Sequence, residues 1–192
     1  MLPEHLEFEK YVTAQMYYSL VGRGLEYEFQ SFAEYTNIGI LVSSPLAGGF
    51  LSGKYSRANP APAGTRFAEA GWFVPFEKKM GYRVVEALQE VAGRRPARAA
   101  LSWVLGRPAV SSVIVAARKV EQLEDNIRAV DLQLSHDEVR LLDAASDPAV
   151  PYPKWTVLQL DTAEDPRSKI LSPERYADGS PWKDLRRTRW SD

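Results

Sequence analysis

The run Ile38-Gly39-Ile40-Leu41-Val42 constrains the fold more than any other segment: it holds four branched apolar side chains and no polar one. A strand with one wet face alternates apolar and polar residues, whereas a strand covered on both faces reads as a continuous apolar run. That is the pattern of parallel sheets flanked by helices. The segments around it fit that architecture. Val12 to Leu20 is short, β-branched and aromatic and predicts a strand, Leu25 to Tyr35 has helix length, and Val113 to Val115 predicts a third strand. Val84, Val85, Leu88, Val91 and Ala92 recur at helical spacing over 82–92, and Pro96 opens a second helix through Leu101, Val104 and Leu105, ended by Gly106 and Pro108. Proline in the first turn and glycine at the exit match the asymmetry of helix ends. A helix over 119–130 carries Val120, Leu123, Ile127 and Val130 on one face, and Ser135-His136-Asp137-Glu138 is a capping box opening a last helix through Val139, Leu142 and Ala145. Three strands alternating with helices imply an α/β protein with a parallel sheet.

Two stretches lack such periodicity. Ser43 to Gly71 is rich in glycine and proline and reads as an excursion rather than an element. Residues 156–192 are polar, with Ile170, Leu171, Tyr176, Trp182 and Trp190 scattered without period, and read as an extended, partly ordered tail behind a domain over 1–155.

Charge and residue counts remove several functional classes. Against 24 Lys and Arg stand 25 Asp and Glu, a net charge of -1 that gives no long-range attraction for nucleic acid or an anionic membrane. The absence of cysteine excludes disulfide frameworks, thiolate zinc sites and cysteine nucleophiles. His5 and His136 lie far apart, outside any metal-ligand spacing or Ser/His/Asp arrangement, and His136 reads as an exposed first-turn residue. No metal site is expected. The stretch Met1 to Glu7 has no basic region followed by an apolar core, so no signal peptide is expected there. The longest uncharged apolar stretch, Ile38 to Gly53, contains Pro45 and four glycines, which a membrane-spanning helix does not tolerate. A soluble, cytoplasmic protein is expected.

Chemistry concentrates after the second and third strands. Ser43 to Tyr55 (SSPLAGGFLSGKY) brings small residues, hydroxyls and a lysine to the end of a buried strand, a reasonable cradle for a phosphate. It is not a Walker A loop, because Tyr55 stands where that motif needs Ser or Thr. Taken alone it reads equally well as a tight loop with a surface lysine. Ala116 to Asn126 (AARKVEQLEDN) runs a strand into a helix N-terminus, whose free N–H groups attract anions, and adds Arg118 and Lys119. Two cations at a positive helix end are each unfavourable by about 0.3–1 kcal/mol, which favours an anion-binding role over a plain solvated face. Gln122, Asp125 and Asn126 follow at helical spacings and can project together toward a polar ring edge or a ribose.

With Gln15-Met16-Tyr17-Tyr18-Ser19-Leu20, ALSWVL at Ala100 to Leu105 and PYPKW at Pro151 to Trp155, these segments run in consistent order over residues 10–155, and together they resemble the C-terminal half of an aldo-keto reductase. The resemblance implies a TIM-type (β/α)8 barrel of which this chain carries the sixth to eighth strands, with phosphate sites after the last two. It also implies that Gln15 hydrogen-bonds a nicotinamide carboxamide and that Ser44, Pro45, Leu46, Gly48 and Lys54 line a pyrophosphate. Arg118 would face the 2′-phosphate of NADP(H), with Gln122, Asp125 and Asn126 near the adenosine. Aldehydes or ketones would be the substrates, reduced to alcohols by hydride transfer.

The departures are specific. The family's catalytic Asp, Tyr, Lys and His lie on earlier strands that this sequence does not contain, so no catalytic residue is assigned; Tyr17 and Tyr18 belong to the sixth-strand motif. Ser43 replaces the Trp or Tyr that stacks on the nicotinamide, Ala116 replaces a glycine, and the segment Gly93 to Pro96 is shorter than usual. Three strands of eight leave two open edges and an inward face expected to expose apolar side chains. The chain is therefore expected to associate with itself or with a complementary N-terminal half. The other readings are a non-catalytic nucleotide-sensing or interaction protein, as the potassium-channel β subunits of the family illustrate, and an inactive truncated fragment.

Overall fold

A computed structural model of the chain describes residues 9–70, 74–93, 95–148 and 151–152. The chain divides into two units, 1–147 and 148–192, and all the described helices and strands belong to the first. The segment 156–192 and the end of the PYPKW motif lie outside the described residues.

Strands β1 (Thr13–Tyr17), β2 (Gly39–Ser43) and β3 (Val110–Val113) form a parallel sheet in the order β1-β2-β3. The apolar run supplies the central strand, with Ile40 and Val42 fully buried. β1 is shorter than the expected 12–20 because the chain turns beyond Tyr17: Ser19 bridges Gly22, and Tyr18 and Leu20 enter the core. β3 lies three residues ahead of the expected 113–115. Ala109 adopts a left-handed φ of 61°, its carbonyl accepts the Ile40 N–H at 2.7 Å, and the ladder starts there. A bulge then skips Ser111, so Val110 pairs with Ile40 and Val113 with Val42. Serines 111 and 112 have weak strand propensity and conceal the strand in the sequence.

Among the described residues six helices cover the sheet: α1 (Phe29–Thr36), α2 (Arg66–Ala70), α3 (Lys78–Ala92), α4 (Pro96–Leu105), α5 (Val120–Ile127) and α6 (His136–Ala145). Each of the best-defined starts has a chemical cause. The Glu77 carboxylate accepts the Lys79 and Met80 N–H groups at 2.6 and 2.5 Å, Pro96 occupies the first turn of α4, and both halves of the Ser135–Glu138 capping box form. The segment expected as one helix over 25–35 divides instead, into a 3-10 turn at Gly24–Tyr27 and α1, with Glu28 non-helical between them. Beneath the sheet, Val84, Leu88, Trp103, Val104 and Leu142 complete the core. Full burial of such side chains stabilises by roughly 1.5–3 kcal/mol apiece.

The excursion over 43–71 contains more structure than its composition suggests. A 3-10 segment (Ala47–Ser52) and α2 interrupt it, and Phe50, Leu51 and Tyr55 are buried. The Phe50 ring lies 4.6 Å from Phe76, 5.6 Å from both Tyr55 and Tyr82, and 6.0 Å from Phe67. This aromatic cluster pins the long connection to α3, and its members share no period that a sequence could show.

A buried polar cluster ties the β1 connection to α4 and α6. Arg23 donates to both carboxylate oxygens of Glu26 at 2.8 and 2.9 Å, to the Ser146 hydroxyl at 2.9 Å and to the Asp143 carbonyl at 3.2 Å. The Tyr18 hydroxyl donates to Glu26 at 2.7 Å, and Trp103 Nε1 donates to the Asp143 carboxylate at 3.0 Å. Arg107 pairs with the same carboxylate and stacks over the Trp103 ring, 3.9 Å from its centroid.

The uncovered face of the sheet differs from expectation. Thr13, Gln15 and Tyr17 of β1, Leu41 and Ser43 of β2, and Ser112 of β3 line it, so it is mostly polar. An exposed apolar stripe lies on α5, where Val120, Leu123, Ile127 and, one turn on, Val130 are 67, 39, 55 and 68% exposed; Tyr11, Val12, Phe32, Tyr35 and Ile114 are exposed elsewhere.

Candidate functional site

The carboxyl ends of parallel strands are where such sheets bind ligands, and most of the residues singled out from sequence lie at or beyond them. Gln15, Leu41 and Ser112 stand in one row across the sheet, and Tyr17 and Ser43 form the next. Gln15 is exposed on the open face, so its carboxamide is free to meet another. Tyr17 is tethered: its hydroxyl lies 3.0 Å from Ser19 Oγ, and its ring occupies the space a Cβ on Gly22 would need. Burial raises its pKa above the ordinary phenol value against the opposing pull of the Ser19 hydrogen bond.

The connection after β2 is a run of left-handed backbone, with φ of 52° at Ser44, 48° at Ala47, 67° at Gly48 and 96° at Gly49. A non-glycine residue held there costs about 1–3 kcal/mol, and such strain clusters at functional sites. The loop braces itself: the Ala47, Gly49 and Leu51 N–H groups donate to the Ser44 and Leu46 carbonyls at 2.8, 2.9 and 3.2 Å. Of the five residues read as a pyrophosphate lining, Pro45 is buried, Ser44, Leu46 and Gly48 are half-buried, and Lys54 is exposed. Space remains beside the backbone, since a Cβ on Gly49 would meet nothing within 4 Å, and the Ser52 hydroxyl is buried without a hydrogen-bond partner. A loop braced by its own hydrogen bonds, an unpaired hydroxyl and an exposed ammonium are compatible with a phosphate-bearing group.

Gly53 closes this loop under two constraints. Its φ is 85°, and a Cβ would overlap Pro96 Cγ, which the pyrrolidine ring fixes at the first turn of α4. Gly53→Ala is expected to cost about 2–4 kcal/mol, the sum of a left-handed alanine and an overpacked contact. Gly64→Ala is the control, with φ of 73° and nothing within 4 Å of the added Cβ, and carries only the backbone part, about 1–2 kcal/mol. Urea unfolding of both variants checks the difference; equal losses would remove the steric component.

The connection after β3 leads through exposed Arg118 and Lys119 into α5, where Lys119 is the N-cap residue and supplies no side-chain cap. Asp125, expected near an adenosine, is engaged by Arg98 and clamps α5 to α4. Gln122 and Asn126 are half-buried. Arg118 instead reaches toward the β2 connection, with its guanidinium 3.8 Å from the Glu69 carboxylate on α2. The two strand-end connections therefore approach each other at this pair. Sequence offers no sign of Glu69, because nothing in its local pattern distinguishes it from any acidic residue of a short helix.

A cavity of about 450 Å³ opens at the other end of the sheet, lined by Thr13, Glu34, Asn37, Gly39 and Ser111 among others, and holds none of the residues singled out from sequence. Among the described residues no group of three or more His, Cys, Asp or Glu could hold a metal ion, and no helix is long and apolar enough to cross a membrane.

The profile of the aldo/keto reductase family matches residues 4–147, against the 10–155 expected, so PYPKW falls outside it. The chain is 36% identical over 140 residues to an uncharacterized oxidoreductase, YrpG, of Bacillus subtilis (strain 168), an alignment covering 73% of this chain and 42% of that protein. It is 31% identical over 146 residues to protein tas of Escherichia coli (strain K12), covering 74% and 42%. It is 34% identical over 133 residues to a probable voltage-gated potassium channel subunit beta of Oryza sativa subsp. japonica, covering 63% and 39%. The chain thus spans about two fifths of the length of these relatives.

Proposed function

The chain belongs to the aldo/keto reductase family, and from that premise we propose that it is the cofactor-holding, C-terminal portion of an NADP(H)-dependent carbonyl reductase. The observation that carries the reading is the approach of the two strand-end connections, with exposed Arg118 from one within reach of α2 from the other, together with an exposed Gln15 on the open face. Arg118 would hold a 2′-phosphate, the Ser44–Lys54 loop the pyrophosphate, and Gln15 the carboxamide of the nicotinamide ring. When bound, the cofactor supplies hydride to an aldehyde or ketone. The protonation that completes the reduction needs the family's Asp, Tyr, Lys and His, which a complementary N-terminal half would supply. That half, or self-association, would complete the barrel.

Arg118→Ala is expected to weaken NADPH binding by about 10- to 100-fold, the scale of a lost charge-assisted contact, and to leave NADH binding unchanged. Titration calorimetry with both nucleotides checks this, and equal losses for both, or no binding of either by the unaltered chain, overturns the reading. The likeness to a probable potassium channel subunit beta supports a second reading, a non-catalytic interaction or nucleotide-sensing protein without turnover. It expects NADPH binding with no oxidation when a generic aldehyde is added.

A further inference from the structure

Glu69 and Arg118 stand on different connections, and yet their charged ends meet. Glu69 lies on α2, in the chain that follows β2, and Arg118 precedes α5 after β3; Glu69 Oε2 is 3.8 Å from Arg118 Nη2, with the side chains 54 and 76% exposed. A pair this exposed is weak and screened by salt, so an incoming ligand can displace or share it. The two groups select opposite chemistries at one point. A guanidinium pairs with a phosphate through parallel N–H···O bonds, whereas a carboxylate accepts hydrogen bonds from hydroxyls and repels phosphate. In dinucleotide sites an acidic residue takes the ribose 2′-hydroxyl, and an arginine takes the 2′-phosphate. Here one of each stands at the same exposed point, where the two connections approach.

We propose that Glu69 is a specificity-determining residue that lowers the chain's preference for 2′-phosphorylated nucleotides, letting the site take both kinds of adenosine end. This rests on the reading that Arg118 faces a 2′-phosphate. In the absence of a nucleotide, Glu69 occupies Arg118. A 2′-phosphate must displace it, while an unmodified ribose donates its 2′-hydroxyl to it. The same carboxylate therefore opposes one ligand and assists the other, and its removal shifts the ratio of the two affinities in a single direction.

The test is calorimetric titration of the 192-residue chain, as Glu69→Gln, Arg118→Gln and the unaltered protein, with 2′,5′-ADP and with 5′-ADP. Glu69→Gln is expected to raise the preference for 2′,5′-ADP over 5′-ADP by about three- to fivefold, the most an exposed pair supplies, and the gain should shrink at high salt. Circular dichroism melting should be unchanged, because both partners are exposed. If 2′,5′-ADP binds in an Arg118-dependent manner and Glu69→Gln leaves the preference as it was, the inference is overturned and the proposed function stands. If no variant binds 2′,5′-ADP through Arg118, both are overturned together.

Discussion

Arg23→Ala is expected to destabilise the chain by about 3–5 kcal/mol, the cost of stranding one member of a buried ion pair. The side chains of Arg23 and Glu26 are 5 and 7% exposed. Removing the guanidinium takes both Arg23 hydrogen bonds from the nearly dry Glu26 carboxylate, and Ser146 Oγ and the Asp143 carbonyl each lose a donor. Typical domains have only about 5–15 kcal/mol of stability, so the loss takes a large share. Arg57→Ala is the control, since the Arg57–Glu86 pair has the same chemistry and a 2.7 Å separation, but its side chains are 51 and 57% exposed. Its unfolding midpoint should hardly move. If urea unfolding gave the two variants similar midpoints, the buried cluster would not be the clamp its geometry suggests.

The same cluster fixes the sign of the acid limb. Burial alone would raise the Glu26 pKa, but the Arg23 hydrogen bonds and charge, helped by Tyr18 and Arg107, outweigh it and hold the carboxyl below its ordinary 4.5. A carboxyl with a depressed folded pKa contributes stability that is complete above the unfolded value and is lost as pH falls through the folded one. Stability should therefore decline as pH drops below about 4.5, and Glu26→Gln should flatten that decline. It should not abolish it, because the backbone N–H groups of Met80 and Lys79 also depress Glu77.

What sequence reveals and what it conceals divide along physical lines. The central strand, the limits of α4 and the capping box of α6 are local signals: an apolar run, a proline and glycine at opposite ends, and a serine three residues ahead of a glutamate. Long-range packing carries no such mark. Arg23 and Ser146 are 123 residues apart, and the ring contacts of Phe50 run from Tyr55 to Tyr82. β3 departs from its expected position because two serines occupy its middle, and the bulge that tolerates them depends on β2. At the site, the cationic and glycine-rich segments are legible as chemistry. Their pairings are not, because Asp125 with Arg98 and Arg118 with Glu69 exist only once α4, α5 and the β2 connection are packed.

Supplying the remaining β/α units of a family barrel should bring aldehyde-dependent NADPH oxidation to this chain, with a gain of about 10²-fold or more over the chain alone, the scale that positioned acid–base groups provide. The described residues form three parallel strands, with one free edge on β1 and one on β3. The family barrel has eight strands. A second copy would bring the sheet to six, whereas a complementary segment can reach eight, so the complement, joined to this chain or separate, is the better occupant. The stripe of Val120, Leu123, Ile127 and Val130 indicates where it would seat. Burying four such side chains yields at most roughly 6–12 kcal/mol, comparable with the ~4–15 kcal/mol lost on association. Apolar contact alone therefore roughly breaks even, and the free strand edges must pair as well. Leu123→Glu with Ile127→Glu places two charges in that contact without touching Arg118 or the β2 connection. The double variant should still bind 2′,5′-ADP but lose turnover when mixed with the N-terminal portion of the Bacillus subtilis relative. Undiminished turnover by the double variant in that mixture would show that the stripe is not the seat, and full turnover by the unaltered chain alone would show that no complementary segment is needed.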